Sequence, residues 1–138
     1  MPALDSCHPQ IVRALEKTGW VVLPKPFTLP SPINNLFVDI QARRPTQNGG
    51  SEIIVVEVKC FADDSFDMHE LYVAIGQYLV YRDLLQQMTV PRSLYLAIPT
   101  KAYYGIFRPL AAVIMIRNQM QLIVINLDTE EVVEWVES

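Results

Sequence analysis

The sequence predicts a mixed α/β fold in which a central β-sheet is flanked by helices. Three observations predict it: two runs rich in β-branched residues with turn residues between them, a long apolar helical pattern, and further strand-like runs towards the end of the chain. The 138 residues are enough to bury one core, and they contain neither an internal repeat nor a linker. We therefore expect a single domain over residues 1–138.

Each expected element depends on apolar spacing and on the residues that end it. The first helix carries Ile11 and Leu15 on one stripe, and Gly19 suits the left-handed residue that follows a helix. The stretch KPFTLPSP contains too much proline for a regular element. In order, we expect α-β-β-β-α-β-α-β-β at residues 9–18, 20–23, 33–42, 52–60, 67–87, 93–98, 101–118, 121–126 and 131–135.

The second and third strands predict a hairpin at the centre of the sheet. The turn sequence NGG lies between them, and the run EIIVVEVKC is apolar on both faces as far as Glu57, which is typical of a covered strand. The long helix that follows is apolar nearly all round, which indicates burial or a partner surface. We expect His69 on its surface. Gly105 and Pro109 should interrupt the next helical stretch.

Composition excludes several classes of protein. The chain is 51% hydrophobic and 19% charged, which is typical of a globular protein and not of a disordered one. No apolar run reaches the roughly 20 residues that cross a bilayer, and the N-terminus lacks a signal-peptide pattern, so we expect no membrane association. The net charge of −4, with Lys and Arg scattered, argues mildly against strong autonomous DNA binding.

The two cysteines, Cys7 and Cys60, are accompanied by no CxxC pair and no Cys/His cluster. Isolated cysteines of this kind predict neither a disulfide framework nor a zinc site. Because disulfides are typical of oxidising compartments, we expect a protein of the reducing cytoplasm.

Three charged residues in apolar strands indicate a catalytic centre. Glu57 and Lys59 share one face of their strand, and the hairpin can place Asp39 beside them. Buried charges are costly unless they pair or bind a cation. Two carboxylates suit Mg²⁺ or Mn²⁺, so we expect Asp39, Glu57 and the Val58 carbonyl as metal ligands. Lys59 would orient water or stabilise negative charge during phosphodiester hydrolysis.

A solvated face of the sheet is the alternative interpretation of the Glu57–Lys59 pair, since charged residues are usually exposed. The apolar residues on both sides of the pair make that arrangement less natural. Gln77 and Tyr81 form a second, independent feature, because residues four apart share a helix face. On their own they are equally consistent with a polar helix face and a packed tyrosine.

Taken together, D…ExK followed by QYLVY resembles the RecB-like branch of the PD-(D/E)XK nucleases over residues 8–100. The resemblance implies a restriction-endonuclease-like fold in which Gln77 and Tyr81 face the active centre or the nucleic acid. That branch often adds a metal-binding Glu on the first helix. Here His8 holds the matching place, so it is either a replacement ligand or a packing residue at the helix end.

A longer resemblance covers nearly the whole chain. The runs MPALDSCHPQIVRALEKTGW, LFVDI, VVEVKCF, AIGQYLVYRDLL, SLYLAIP and QLIVINLDTEEVVEW resemble the cyanobacterial XisH family of controlling factors for excision of the fdxN element. This resemblance implies a role in programmed DNA excision, with DNA as a possible partner, a XisI-like companion and a recombinase acting indirectly. The alternative is a non-catalytic accessory factor. The apolar helix also favours a homo-oligomer.

Overall fold

The structure is a computed structural model that describes residues 6–62, 68–90 and 92–137. Its strands are β1 (Val21–Val22), β2 (Phe27–Leu29), β3 (Leu36–Val38), β4 (Ile40–Pro45), β5 (Ser51–Val58), β6 (Ser93–Pro99), β7 (Leu122–Asn126) and β8 (Glu131–Val136). Its α-helices are α1 (His8–Lys17), α2 (Met68–Gln86), α3 (Thr100–Ala102), α4 (Arg108–Leu110) and α5 (Ile116–Asn118). Two π-helical segments, Tyr103–Phe107 and Ala111–Met115, connect the last three helices.

The strands confirm the predicted mixed sheet. Six of them form one sheet in the order β1-β4-β5-β6-β7-β8, while β2 and β3 form a separate antiparallel pair. The central strands β5, β6 and β7 are parallel, and the flanking pairs are antiparallel. The two parallel connections pass through α2 and through the helical stretch of α3 to α5, as parallel pairing requires a long crossover.

The sheet buries a different core on each of its two faces. On one face, which we call the α1 face, Ile54, Val56 and Val58 of β5 pack with the buried residues of α1. On the opposite face, the α2 face, Val55 packs with the buried residues of α2. Because side chains alternate along a strand, the residues that follow Val55 at intervals of two belong to the α2 face.

The predicted hairpin is confirmed, since β4 and β5 are antiparallel with Ile40 opposite Val56. The prediction that KPFTLPSP forms no regular element is wrong. Phe27 and Leu29 are buried, and their strand pairs with β3. Pro26 and Pro30 stand just outside β2, so neither removes a hydrogen bond from the ladder.

The predicted interruption of the helical stretch after β6 takes the form of two shifts into π-helical hydrogen bonding. Pro109 has no N–H to donate back to the carbonyl of Gly105, so a regular α-helical ladder cannot pass this point. The stretch ends at Gln119, which is left-handed with φ of 52°.

Cys7 and Cys60 are joined by a disulfide, so the prediction that they form none is wrong. The two residues are 53 positions apart, but the start of α1 lies against the end of β5, and both side chains are buried. Their spacing in the sequence gave no sign of this contact. With the disulfide formed, the cysteines no longer indicate a reducing compartment.

Among the described residues, no helix is long and apolar enough to cross a membrane.

Candidate metal centre

Asp39 lies at the bend that divides the predicted second strand into β3 and β4. Val38 pairs with Phe27 in the small sheet, whereas Ile40 pairs with Val56 in the large one. Asp39 is therefore where the chain passes from one sheet to the other. Val38 packs in the core of the α2 face and Ile40 in the core of the α1 face, so the bend at Asp39 interrupts the alternation of the strand.

The bend brings Asp39 directly to the end of β5. The backbone N–H of Val58 donates a hydrogen bond to Asp39 Oδ2 at 2.9 Å. In return, the backbone N–H of Asp39 donates a longer bond of 3.4 Å to Oε1 of Glu57. The two carboxylates are thus held side by side, as the sequence predicts, by main-chain groups of the neighbouring segment.

Lys59 follows immediately after β5. Its backbone N–H donates to the carbonyl of Ala97 in β6 at 3.0 Å, which fixes the main chain next to the carboxylates. Its Nζ atom is 3.9 Å from Oε2 of Glu57, with 21% of the side chain exposed. The ammonium group therefore partly balances Glu57 and still reaches solvent.

Glu57 is the only buried charged residue in the described part of the chain. Burial and the negative charge of Asp39 raise the pKa of Glu57 to about 8, against the opposing effect of Lys59. Carboxylates crowded in this way favour the protonated form unless a cation joins them. The solvated-face interpretation of the Glu57–Lys59 pair is therefore wrong, because apolar residues of α2 cover that face.

Tyr81 and Gln77 both lie on α2. Tyr81 is buried, and its pKa rises to about 12, first through burial and then through the charges of Glu57 and Asp39. Tyr81 is therefore close enough to the two carboxylates for their charges to affect its pKa. The Oε1 atom of Gln77 is buried and has no hydrogen-bond partner among the described residues. An unsatisfied buried amide oxygen is costly, and it is available to a ligand.

The donor chemistry of this site fits Mg²⁺ or Mn²⁺, since both ions prefer carboxylate and carbonyl oxygens. Asp39 and Glu57 supply two such groups, and the Val58 carbonyl stays a prediction. The described residues contain no group of three or more His, Cys, Asp or Glu side chains arranged to hold a metal.

His8 begins α1, on the other face of the sheet, and its buried Nδ1 has no partner among the described residues. Its role as a ligand also stays a prediction.

A cavity of about 350 Å³ opens beside Lys59. The first turn of α2 contributes His69 and Glu70 to its wall; His69 is exposed, as expected, but it also faces this space. Glu70 is not among the predicted site residues, and its only signal in the sequence is that of an acidic residue in the first turn of a helix. Phe61, also in the wall, is left-handed with φ of 48° and turns the chain just after Lys59.

The fold and the site together define a class: a mixed α/β protein with two carboxylates and a lysine at the carboxyl end of a central strand. The family model described as "XisH protein" matches residues 1–133 of this chain. The chain therefore belongs to the XisH family. No curated protein matches it.

Two crystal structures are similar to this chain. One is a XisH family protein from Nostoc punctiforme PCC 73102, with 32% sequence identity and a TM-score of 0.83; the match covers 96% of this chain and 100% of that protein. The other is a fdxN element excision controlling factor from Anabaena variabilis, with 32% identity and a TM-score of 0.81 over 94% of this chain and 97% of that protein.

Proposed function

We propose that this protein is a controlling factor for programmed excision of a DNA element and that it contains a metal-dependent nuclease-type centre of the PD-(D/E)XK kind. The first part of the proposal is supported by family membership and by the similarity to the excision controlling factor of Anabaena variabilis. The observation that carries the second part is the pair of carboxylates held together by main-chain hydrogen bonds, with Lys59 beside them.

Each residue of the centre has a role in this proposal. Asp39 and Glu57 bind Mg²⁺ or Mn²⁺, with the Val58 carbonyl as a further ligand. An ion held by these residues would supply the charge that polarises a phosphodiester and lowers the pKa of a water. Lys59 donates hydrogen bonds to a phosphate oxygen or orients that water. Gln77 and Tyr81 face the carboxylates or the nucleic acid from α2, where the unpartnered amide oxygen of Gln77 can accept a hydrogen bond.

The test is cleavage of duplex, branched and single-stranded DNA in the presence of Mg²⁺ or Mn²⁺. We expect the wild-type protein to cleave at least one substrate and Asp39→Asn to lose about 100-fold or more of that activity, because a metal ligand is removed. Asp128→Asn is the matched control, since it makes the same change at an exposed turn and should leave cleavage unaltered. Failure of the wild-type protein to cleave any substrate would refute the catalytic part.

A non-catalytic accessory role is the second candidate, and one observation favours it. Met68 and Tyr72 are exposed hydrophobic residues four positions apart on one stripe of α2, and Val80 is a further exposed hydrophobic residue on the same helix. Such a stripe suits a partner protein such as a XisI-like subunit. In this case Glu57→Ala supports excision in cells and Tyr72→Glu abolishes it. Loss of excision in a folded, partner-binding Glu57→Ala protein would contradict the accessory role.

A further inference from the structure

A second polar cavity, of about 300 Å³, lies at the other end of the parallel strands. Its walls come from the second half of α2, the start of β6 and the residues before β7, and they include Tyr78, Arg82, Asp83, Arg92, Gln119 and Gln121. Ser93 pairs with Ile54, whereas Glu57 pairs with Leu96, so the cavity is about 10 Å from the carboxylates along the strands.

The net charge of the residues around this cavity is positive, whereas the net charge of the whole protein is negative. Two guanidinium groups, Arg82 and Arg92, face a single carboxylate, Asp83, although the chain has a net charge of −4. Neither arginine forms an ion pair with a carboxylate among the described residues. The cavity is therefore a local concentration of positive charge in an acidic protein.

Both guanidinium groups are held in place without a carboxylate. Arg82 lies over the ring of Tyr78, with Cζ 5.4 Å from the ring centre, and its Nη1 donates to the carbonyls of Asn118 and Gln119. Arg92 lies over the ring of Phe27, with Cζ 5.0 Å from the ring centre. Ring stacking leaves the donors at the guanidinium edge available and reduces the entropy that is lost on binding a ligand.

The two arginines of the cavity carry hydrogen-bond donors that other groups of the described chain do not use. A guanidinium carries five N–H groups. Arg82 uses its Nη1 for two carbonyls, and Arg92 uses its Nη1 for the carbonyl of Val90 at 3.1 Å. The Nε atom of Arg92 is buried and has no partner among the described residues. Leaving such a donor unsatisfied costs about 1–3 kcal/mol, which a ligand with acceptor oxygens would recover.

The wall behind these donors is already hydrogen-bonded. The hydroxyl of Tyr78 accepts from the backbone N–H of Gln121 at 2.9 Å and donates to the carbonyl of Leu94 at 3.3 Å. The side-chain amide of Gln121 donates to the same carbonyl at 3.1 Å. These bonds join α2, β6 and the chain before β7, so this wall of the cavity is pre-formed.

We propose that this cavity binds a terminal phosphate group. A phosphomonoester has a charge of about −1.5 to −2 at neutral pH and three acceptor oxygens, which suits two guanidinium groups and nearby amides and hydroxyls better than the two oxygens of a carboxylate. The volume admits a nucleotide-sized ligand but not a duplex. The phosphate can belong to the end of a nucleic-acid strand or to a free small molecule. The proposal does not depend on the carboxylate centre.

Binding titrations in EDTA keep the carboxylate centre out of the measurement. The probes are inorganic phosphate and a single-stranded oligonucleotide with either a 5′-phosphate or a 5′-hydroxyl. We expect saturable binding of inorganic phosphate and a weakening of about tenfold or more in Arg92→Gln, because a charge-assisted hydrogen bond is removed. Arg92→Lys should recover part of the affinity. Arg43→Gln removes the same charge from an exposed position on β4 and should bind like the wild type.

The oligonucleotide pair distinguishes the two sources. Tighter binding of the 5′-phosphate form, lost in Arg92→Gln, assigns the cavity to a strand end. Equal binding of both forms, with inorganic phosphate still dependent on Arg92, assigns it to a free phosphate. Absence of saturable phosphate binding, or equal affinity in wild type and Arg92→Gln, overturns the proposal and leaves the cleavage test unaffected.

Discussion

The two faces of the central sheet are packed alike but charged differently. The α1 face buries apolar residues, and the disulfide joins its helix to the end of β5. The α2 face buries a core of similar kind, yet it also encloses Glu57 beside Asp39. A buried carboxylate lowers stability unless a partner compensates it. The α1 face therefore contributes stability, while the ionisable groups of the α2 face lower the stability that its core provides.

The largest effect should come from the disulfide on the α1 face. Cys7 and Cys60 close a segment of 53 residues, and a constraint of that length on the unfolded chain contributes about 4 kcal/mol. We expect a reducing agent to lower the free energy of unfolding of the wild-type protein by up to that amount in urea titrations. Cys7→Ser, already lacking the bond, should be less stable and insensitive to the reductant. Equal stability with and without reductant would contradict a stabilising disulfide.

Two leucines test whether the faces are equally well packed. Leu15 of α1 and Leu71 of α2 are both buried, one on each face. Leu15→Ala and Leu71→Ala should each lower the free energy of unfolding by about 3 kcal/mol, the usual cost of deleting a buried leucine side chain. Val133→Ala, at an exposed position of β8, is the control and should cost less than about 0.5 kcal/mol. A loss below 1 kcal/mol for Leu71→Ala alone would show that the α2 face is loosely packed.

Most strands of the sheet could be predicted, because the residue types that indicate a strand lie within the strand itself and in the turns next to it. The β-branched run of β5 and the NGG turn before it are sufficient to indicate a covered central strand in a hairpin. The strand β2 is not predicted, because the prolines on both sides of it indicate an irregular segment and the apolar pattern of Phe27 and Leu29 is too short to outweigh them. The disulfide is not predictable for a different reason: a contact between residues 53 positions apart depends on how α1 packs against β5.

The grouping of the site residues could be predicted as far as it follows from the alternation of side chains along a strand. Glu57 and Lys59 share a face by alternation alone, and the hairpin placed Asp39 near them. What could not be predicted is that Asp39 is at a bend between two sheets and that main-chain groups hold the carboxylates together. The cavity between α2, β6 and β7 could not be predicted either, because only tertiary packing brings Arg82 and Arg92 to the same cavity.

Replacing the buried carboxylate should produce a gain in stability. Glu57→Gln keeps the shape of the side chain and removes the cost of a carboxyl that, with its pKa raised to about 8 by burial and by Asp39, must take up a proton on folding at neutral pH or stay charged in the core. We expect the free energy of unfolding at neutral pH, without divalent ions, to rise by about 2 kcal/mol. Mg²⁺ or Mn²⁺ should raise the melting temperature of the wild type and leave that of Glu57→Gln unchanged, because the variant has lost a ligand.

Glu52→Gln is the matched control for this experiment. It makes the same substitution on the same strand, but Glu52 is exposed and pairs with Arg44 on the surface. Such pairs contribute about 0–1 kcal/mol, so this variant should be close to the wild type and keep its response to the metal ions. If Glu57→Gln were less stable than the wild type, the carboxylate would be a structural part of the α2 face, and the contrast between the faces would disappear.

The smallest effect should come from Gln77, whose buried Oε1 has no partner among the described residues. Gln77→Met keeps an unbranched side chain of similar length and removes the unsatisfied amide, so the free energy of unfolding should rise by about 1 kcal/mol. Gln87→Met, just beyond the end of α2 and exposed, should change it by less than about 0.5 kcal/mol. Under the proposed function, Gln77→Met also loses DNA cleavage. Greater stability with full activity would place Gln77 outside the centre, while reduced stability would mean that its amide is already satisfied in the folded protein.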